Sequence, residues 1–465
     1  MSATDLVFAS ALTQAQLIRQ GQVSPLALTE LYLRRIERLD PQLGSFFTVA
    51  AEQAIADART KTEQLAGCAP DELPPFFGVP TAIKDLNAVA GWPQSYGVAA
   101  LKENLAQHDD GVVARMRAAG FVLLGKTATP ELGLTPYTEP LGWPPTRNPW
   151  NLAHTSGGSS GGAAAAVAAG LLPIAQGSDG GGSIRTPAAC CGLVGLKPSR
   201  GRVSHAPVGD VLGGIATDGP LGRTVADVAA LLDVLSGYVT GDPYWLEPPE
   251  VPFLAALQPP PGPLRIAVST ELPPLGAAAE PQAAAVRAIA QRLEKLGHIL
   301  EPATPNCTGL TAPFTRIWQA SAQGTGLPPA ALSPLARWLG EQAGSVGDYL
   351  RALAQMQIVA RQIVGFFDTY DLLLWPSLLH APPLIGAWAE LAPTATLAQI
   401  IGWIAPGPPA NASGLPAIAL PAGFDAAGLP LSVQLVGKPA AEATLLAIAA
   451  QLEAEQPWHS KHPPF

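Results

Sequence analysis

The chain has 465 residues, 48% of them apolar and 14% charged, with 27 basic against 36 acidic side chains and a net charge of −9. That length holds ample material for a large core and two or three average domains, although α/β enzymes often exceed the average domain size. The acidic balance argues against a nucleic-acid partner, which selects basic faces, and leaves no basic patch for an anionic membrane.

Met1 to Leu6 has no basic region ahead of an apolar stretch, so it does not read as a signal peptide, and a soluble cytoplasmic protein is expected. Ser24-Pro25 is an N-cap with proline in the first helical turn, and Leu28, Leu31, Tyr32, Ile36 and Leu39 follow at helical spacing. Gly78 to Asp85 is an apolar, strand-like run that carries Lys84 near its end. Asp110 caps a helix through Ala119, stopped by Gly120, and Phe121 to Leu124 is a buried strand. The longest apolar tract, Ala163 to Ala175, is too short to span a membrane and contains Gly170 and Pro173. Thr224 and Asp227 resemble a capping box ahead of Val228, Leu231, Leu232 and Leu235.

Further along, Leu264 to Val268 is a strand, and Val286, Ile289, Leu293 and Leu296 line a helix stopped by Gly297. Leu372 to Trp375, Ala417 to Leu420 and Val433 to Val436 are short apolar strands, and Leu445 to Leu452 begins a closing helix. The alternation predicts an α/β sheet with helices on both faces. The Pro- and Gly-rich stretches 242–262 and 405–416 read as loops within a single domain, and no internal repeat is present.

Two serines carry the chemistry. Ser159 sits in Gly157-Gly158-Ser159-Ser160-Gly161-Gly162, and Ser183 ends the run Asp179-Gly180-Gly181-Gly182. Glycine lets the backbone take positive φ and approach a bound group, and successive N–H groups in such a turn form a nest for an oxyanion. The pattern reads as an acyl-transfer site. A serine nucleophile needs a base, yet none of the seven histidines lies in a recognisable motif. Lys84 is the other candidate, because a lysine in apolar surroundings loses hydration and its pKa falls. That role requires Asp85 to point elsewhere, since an ion pair would keep the amine protonated. Cys190 and Cys191 are adjacent and read as small buried thiols; no Cys or His spacing suggests a metal.

Lys84, Ser159 and Ser183 together resemble the amidase signature family. The run from Asp179 through Arg185 to Pro198 resembles the family's core motif almost throughout. Gly125-Lys126-Thr127, Asn148-Pro149-Trp150, Gly414-Leu415-Pro416-Ala417, Gly428-Leu429-Pro430 and Gln434 to Gly437 resemble further landmarks. The likeness runs from about residue 5 to about 458 and is weakest between roughly 240 and 370. Phe121 to Gly125 and Thr146 to Leu152 look similar to hydrolases of nylon-type cyclic amides and related bacterial amidases.

The resemblance implies one large mixed sheet in a single domain spanning 1–465. It places a catalytic core at about 75–230 and 370–458 and a variable, substrate-side segment at about 240–370. It implies a Ser–cisSer–Lys triad, with Ser183 as nucleophile, Ser159 as the bridging residue after a cis peptide to Gly158, and Lys84 as base. Spacing to Ser183, read against the family, favours Ser159 over Ser160, which is left a supporting role. Gly180, Gly181 and Gly182, with the Ser183 amide, are expected to form the oxyanion hole, and Asp179 with Arg185 a buried brace. Three departures stand out: Ala128, Ala163 and Gly180, where many members carry other residues. Ala128 and Gly180 are expected to widen or dry the pocket.

Tyr137, Leu141, Trp143, Ile317, Trp318, Ile401 and Trp403 fall in segments expected to border the cleft, and they suit an apolar or aryl group. The expected substrate is a small amide or carbamate, with esters open to the same chemistry and water as second reactant. No cofactor or metal is implied, and a monomer or homodimer is expected. Amidotransferase subunits share this fold but work with tRNA and partners, and nothing basic here supports that role. Two other readings remain at this point. One is a histidine-dependent esterase using Ser159 in its G-x-S-x-G pattern; the other is a non-catalytic subunit.

Overall fold

The computed structural model describes residues 3–465; Met1 and Ser2, where the N-terminal stretch begins, lie outside the described residues. The helix Pro25–Leu43 shows how local sequence sets an element. Ser24 Oγ accepts the Ala27 N–H, Pro25 occupies the first turn, and Gly44 closes the helix at φ 63°. Its buried face is Leu28, Tyr32, Ile36, Leu39 and Leu43, one stripe at helical period. Among the described residues no helix is long and apolar enough to cross a membrane.

Eight strands form one mixed sheet. In spatial order they are Ile299–Pro302, Arg265–Val268, Leu372–Pro376, Pro430–Gly437, Ala417–Phe424, Val194–Lys197, Thr217–Gly222 and Ile174–Asp179. The first three are mutually parallel and every later pairing is antiparallel. Side chains alternate between the faces, so the sheet feeds two cores. Leu372, Leu374, Ile418 and Leu435 join a cluster with the helices Val225–Leu235, Glu280–Lys295 and Glu442–Glu455. Leu373, Trp375, Ala417 and Val436 join the opposite cluster with the helices Thr311–Gly324 and Val346–Gly365.

A three-stranded sheet stands beside the large one, in the order Phe46–Val49, Val122–Thr127, Pro80–Lys84. Its strand Pro80–Lys84 is buried throughout and lies against the edge strand Ile174–Asp179. Thr81 Oγ1 donates to the Ile174 carbonyl at 2.9 Å, and the Lys84 N–H donates to Gln176 Oε1 at 3.2 Å. This contact delivers the end of one sheet to the end of the other, which is where the site forms.

Several local expectations change. Asp110 begins its helix, but its carboxylate accepts from the Ala88 N–H instead of its own helix. Thr224 caps its helix as expected, whereas Asp227 reaches away to accept the Ala11 and Leu12 N–H groups at 2.9 and 3.0 Å. Leu296 is exposed and does not line its helix's buried face. The stretch 405–416 is not all loop: Pro408–Ser413 is a short helix, because proline is compatible with a first turn, and Gly414 ends it at φ 73°.

Candidate active site

Lys84 is fully buried at the end of its strand. Its Nζ lies 2.7 Å from Ser159 Oγ, 2.9 Å from Ser160 Oγ and 2.9 Å from Ser178 Oγ. Among the described residues no carboxylate is within ion-pairing distance of it. Burial lowers its pKa to about 7, while the charges of Asp218 and then Asp179 pull the other way. Asp85 does point elsewhere: it pairs with buried Lys126 at 2.9 Å and accepts the Ser95 N–H and Oγ–H.

Ser159 follows the strand Asn151–Thr155 and precedes the helix Gly161–Ala168. Gly157 holds φ 81°, and a Cβ there would lie 2.8 Å from the Pro187 Cα, so the turn admits glycine alone. The Gly158–Ser159 peptide is cis. Ser160 is pinned to the neighbouring strand: its Oγ–H donates to the Ser178 carbonyl and its N–H to the Ser183 carbonyl. No histidine bonds Ser159 among the described residues, so the histidine-dependent arrangement is not assembled.

Ser183 stands at the end of the glycine loop, just before the helix Arg185–Cys191. Its side chain opens to the cleft, and its Oγ has no hydrogen-bond partner among the described residues. One expectation about the loop changes. The Gly182 N–H donates to Asp179 Oδ1 at 2.7 Å and is therefore engaged, whereas the Gly180, Gly181 and Ser183 N–H groups have no partner among the described residues.

Asp179 and Arg185 meet as a fully buried pair, with Nε to Oδ2 at 3.0 Å and Nη2 to Oδ1 at 2.9 Å. Burial alone would raise the Asp179 pKa, but Arg185 holds it well below the usual carboxylate range. Sequence reasoning missed the rest of this brace. Arg185 also donates to Gln434 Oε1 and Asn411 Oδ1, both at 2.6 Å, and Asn411 Nδ2 returns to Asp179 Oδ1 at 2.9 Å. Ser178 was missed as well, although it lies inside the glycine-rich motif that carries Asp179.

Two chambers meet at Ser183. The first, about 960 Å³ with its mouth, is walled by Phe314, Trp318, Leu310, Ile400, Ile401 and Ile404 above Gly181 and Gly182. The second, about 1280 Å³ with its mouth, is walled by Asn87, Tyr96, Leu132 and Trp318 and exposes Ser159 and Ser178.

Of the side chains expected at the cleft, Trp318 and Ile401 line the first chamber, and Tyr137 and Leu141 line an adjoining groove. Four others do not. Ala128 is buried behind the site, its backbone bonded to Ser45 and Gly162. Trp143 stacks on Phe47 with centroids 4.4 Å apart. Ile317, one position from Trp318 on a helix, faces a separate hollow with Tyr349. Trp403 is fully buried, with its Nε1–H bonded to the His380 carbonyl. Gly180 lines the second chamber, where a Cβ would lie 3.0 Å from Leu212 Cδ1 and 3.2 Å from the Trp318 indole.

Comparison with known proteins bears on this geometry. A family model described as Amidase matches residues 27–327 and 329–446. A putative amidase of Synechocystis is 59% identical over 453 residues, covering 97% of this chain and 89% of that protein. A 6-aminohexanoate-cyclic-dimer hydrolase of Pseudomonas is 37% identical, covering 100% of this chain and 98% of that one. A solved structure of 6-aminohexanoate cyclic dimer hydrolase with its substrate superposes with a TM-score of 0.91 at 34% identity, over 98% of this chain and 99% of the other. Matches over nearly the whole chain, on a fold that buries a lysine against paired serines, leave one assignment: this chain belongs to the amidase family of amidase signature enzymes and is a hydrolase of amide C–N bonds.

Proposed function

We propose that Ser183 is the nucleophile of this hydrolase, Ser159 the bridging hydroxyl and Lys84 the base. The observation that carries this reading is the buried 2.7 Å contact between Lys84 Nζ and Ser159 Oγ, with no carboxylate within ion-pairing distance of the amine among the described residues. Neutral Lys84 takes the Ser159 proton as Ser159 takes that of Ser183. Ser183 Oγ adds to the amide carbon, and the oxyanion rests on the Gly180, Gly181 and Ser183 N–H groups. The C–N bond breaks as the leaving nitrogen takes a proton from Ser159, which Lys84 replenishes. Water then cleaves the acyl-enzyme through the same relay in reverse and releases the acid. No step needs a cofactor.

The proton path orients the substrate. The leaving nitrogen must reach Ser159, and Ser159 lines the second chamber and not the first. The amine side therefore lies in the second chamber and the acyl side against Phe314, Trp318 and Ile401 in the apolar one. An apolar or aryl acyl group fits that wall. Relatives named for a 6-aminohexanoate cyclic dimer support cyclic amides as a class to test. Carbamates and esters present the same electrophilic carbon and belong to the same proposal.

The test is a panel of linear aliphatic amides, anilides, carbamates and cyclic amides, with Ser183→Ala as the blank. Apolar-acyl substrates are expected to turn over best, and the variant to lose at least about 10³-fold in kcat. Equal turnover by Ser183→Ala overturns the assignment of the nucleophile.

A further inference from the structure

Two buried carboxylates act on Lys84, and they are compensated differently. Asp179 is locked to the Arg185 guanidinium by two hydrogen bonds. Asp218 makes no ion pair with a lysine or arginine among the described residues. Its Oδ1 accepts from Gln176 Nε2 at 2.7 Å, and its Oδ2 lies 3.3 Å from His205 Nδ1. His205 Nε2 lies 3.1 Å from the Ala216 carbonyl. Both ring nitrogens thus face acceptors, and only the imidazolium donates to both. Gln176 ties this pair to the lysine, because its Oε1 accepts the Lys84 backbone N–H.

We propose that His205 is a positioning residue: it is the counter-ion that cancels the charge of Asp218 beside the base. The inference rests on the reading of Lys84 as that base. Asp218 outweighs Asp179 in favouring a charged Lys84. Burial works against a charged His205, but its hydrogen bond to Asp218 and that carboxylate's charge raise it above its ordinary pKa. The charged groups facing Lys84 are Asp218 and Asp179, with Asp85 turned onto Lys126; those facing His205 are Asp218 and Asp210. An uncharged side chain at 205 leaves the full carboxylate facing the amine, which then keeps its proton to higher pH. An uncharged side chain at 218 has the opposite effect.

The experiment is the pH dependence of kcat/KM for one aryl amide, on the full chain and on His205→Gln, Asp218→Asn and the double variant. In His205→Gln the acid limb is expected to move up by about one pH unit, a loss of about tenfold in rate below the midpoint. In Asp218→Asn it moves down, and the double variant follows Asp218→Asn, since no charge remains to cancel. A merely structural role shifts both single variants alike or lowers the rate at a fixed midpoint. An unmoved or lowered midpoint in His205→Gln overturns the inference, and that variant decides alone if Asp218→Asn does not fold. An acid limb that persists unchanged in the residual activity of Lys84→Ala overturns the reading of Lys84 instead, and this inference with it.

Discussion

At the scale of single residues, the decisive fact is a fully buried lysine with no ion-pair partner among the described residues. Burial costs the ammonium its hydration, and hydroxyls replace it only in part. With Lys84 as the proposed base, its pKa lowered by burial to about 7, activity is expected to fall as pH drops through that value. We expect kcat/KM to drop about tenfold per unit below the midpoint and to level off above it. A flat profile across neutrality contradicts the assignment of the base. Lys84, Ser159 and Ser183 were legible as candidates because glycines punctuate both serine turns and an apolar run surrounds the lysine. The partners of Arg185 were not legible, since Asn411 and Gln434 arrive from 226 and 249 positions away. Nor does sequence tell the engaged Gly182 amide from its free neighbours; Asp179 alone makes that difference. Trp143, Ile317 and Trp403 lie away from the cleft for a related reason: adjacent residues such as Ile317 and Trp318 face different ways, and bulk alone does not say which faces the cleft.

At the scale of elements, the site depends on a strand that local pattern conceals. Ile174–Asp179 contains glycine, serine and aspartate, all poor strand formers, and it was not read as a strand. It holds because all six residues pair with Thr217–Gly222, a strand with its own glycines and proline. Tertiary pairing overrides propensity there, whereas apolar strands such as Leu372–Pro376 announced themselves. The loop after the hidden strand is held by the Asp179–Arg185 brace. Arg185→Ala leaves a buried carboxylate unpaired, a defect worth roughly 3–5 kcal/mol. We expect a lower urea midpoint together with a fall in kcat, because the free amides of the loop lose their aim. Unchanged stability on equilibrium denaturation contradicts the brace.

At the scale of the whole molecule, distant chain segments are sewn together by buried polar groups as well as by apolar packing. Arg223 donates to the carbonyls of Val7, Ala9, Val167 and Leu172, and Asp227 caps the helix Ala11–Arg19 from a different helix. Asp227→Ala strands the buried Ala11 N–H and the part-buried Leu12 N–H, and about 2 kcal/mol of stability is expected to go with them. The measurement is the denaturation midpoint, and an unmoved midpoint argues that the helix Ala11–Arg19 docks without help from this carboxylate.

The same long-range assembly brings Lys84 from the small sheet to the serines of the large one, so the central claim concerns one proton path across two sheets. Labelling by a fluorophosphonate, followed by peptide mapping, tests it most directly. The account predicts an adduct on Ser183, none in Ser183→Ala, and labelling slowed at least about 100-fold in Lys84→Ala. An adduct on Ser159, or labelling at the full rate without the lysine, contradicts it.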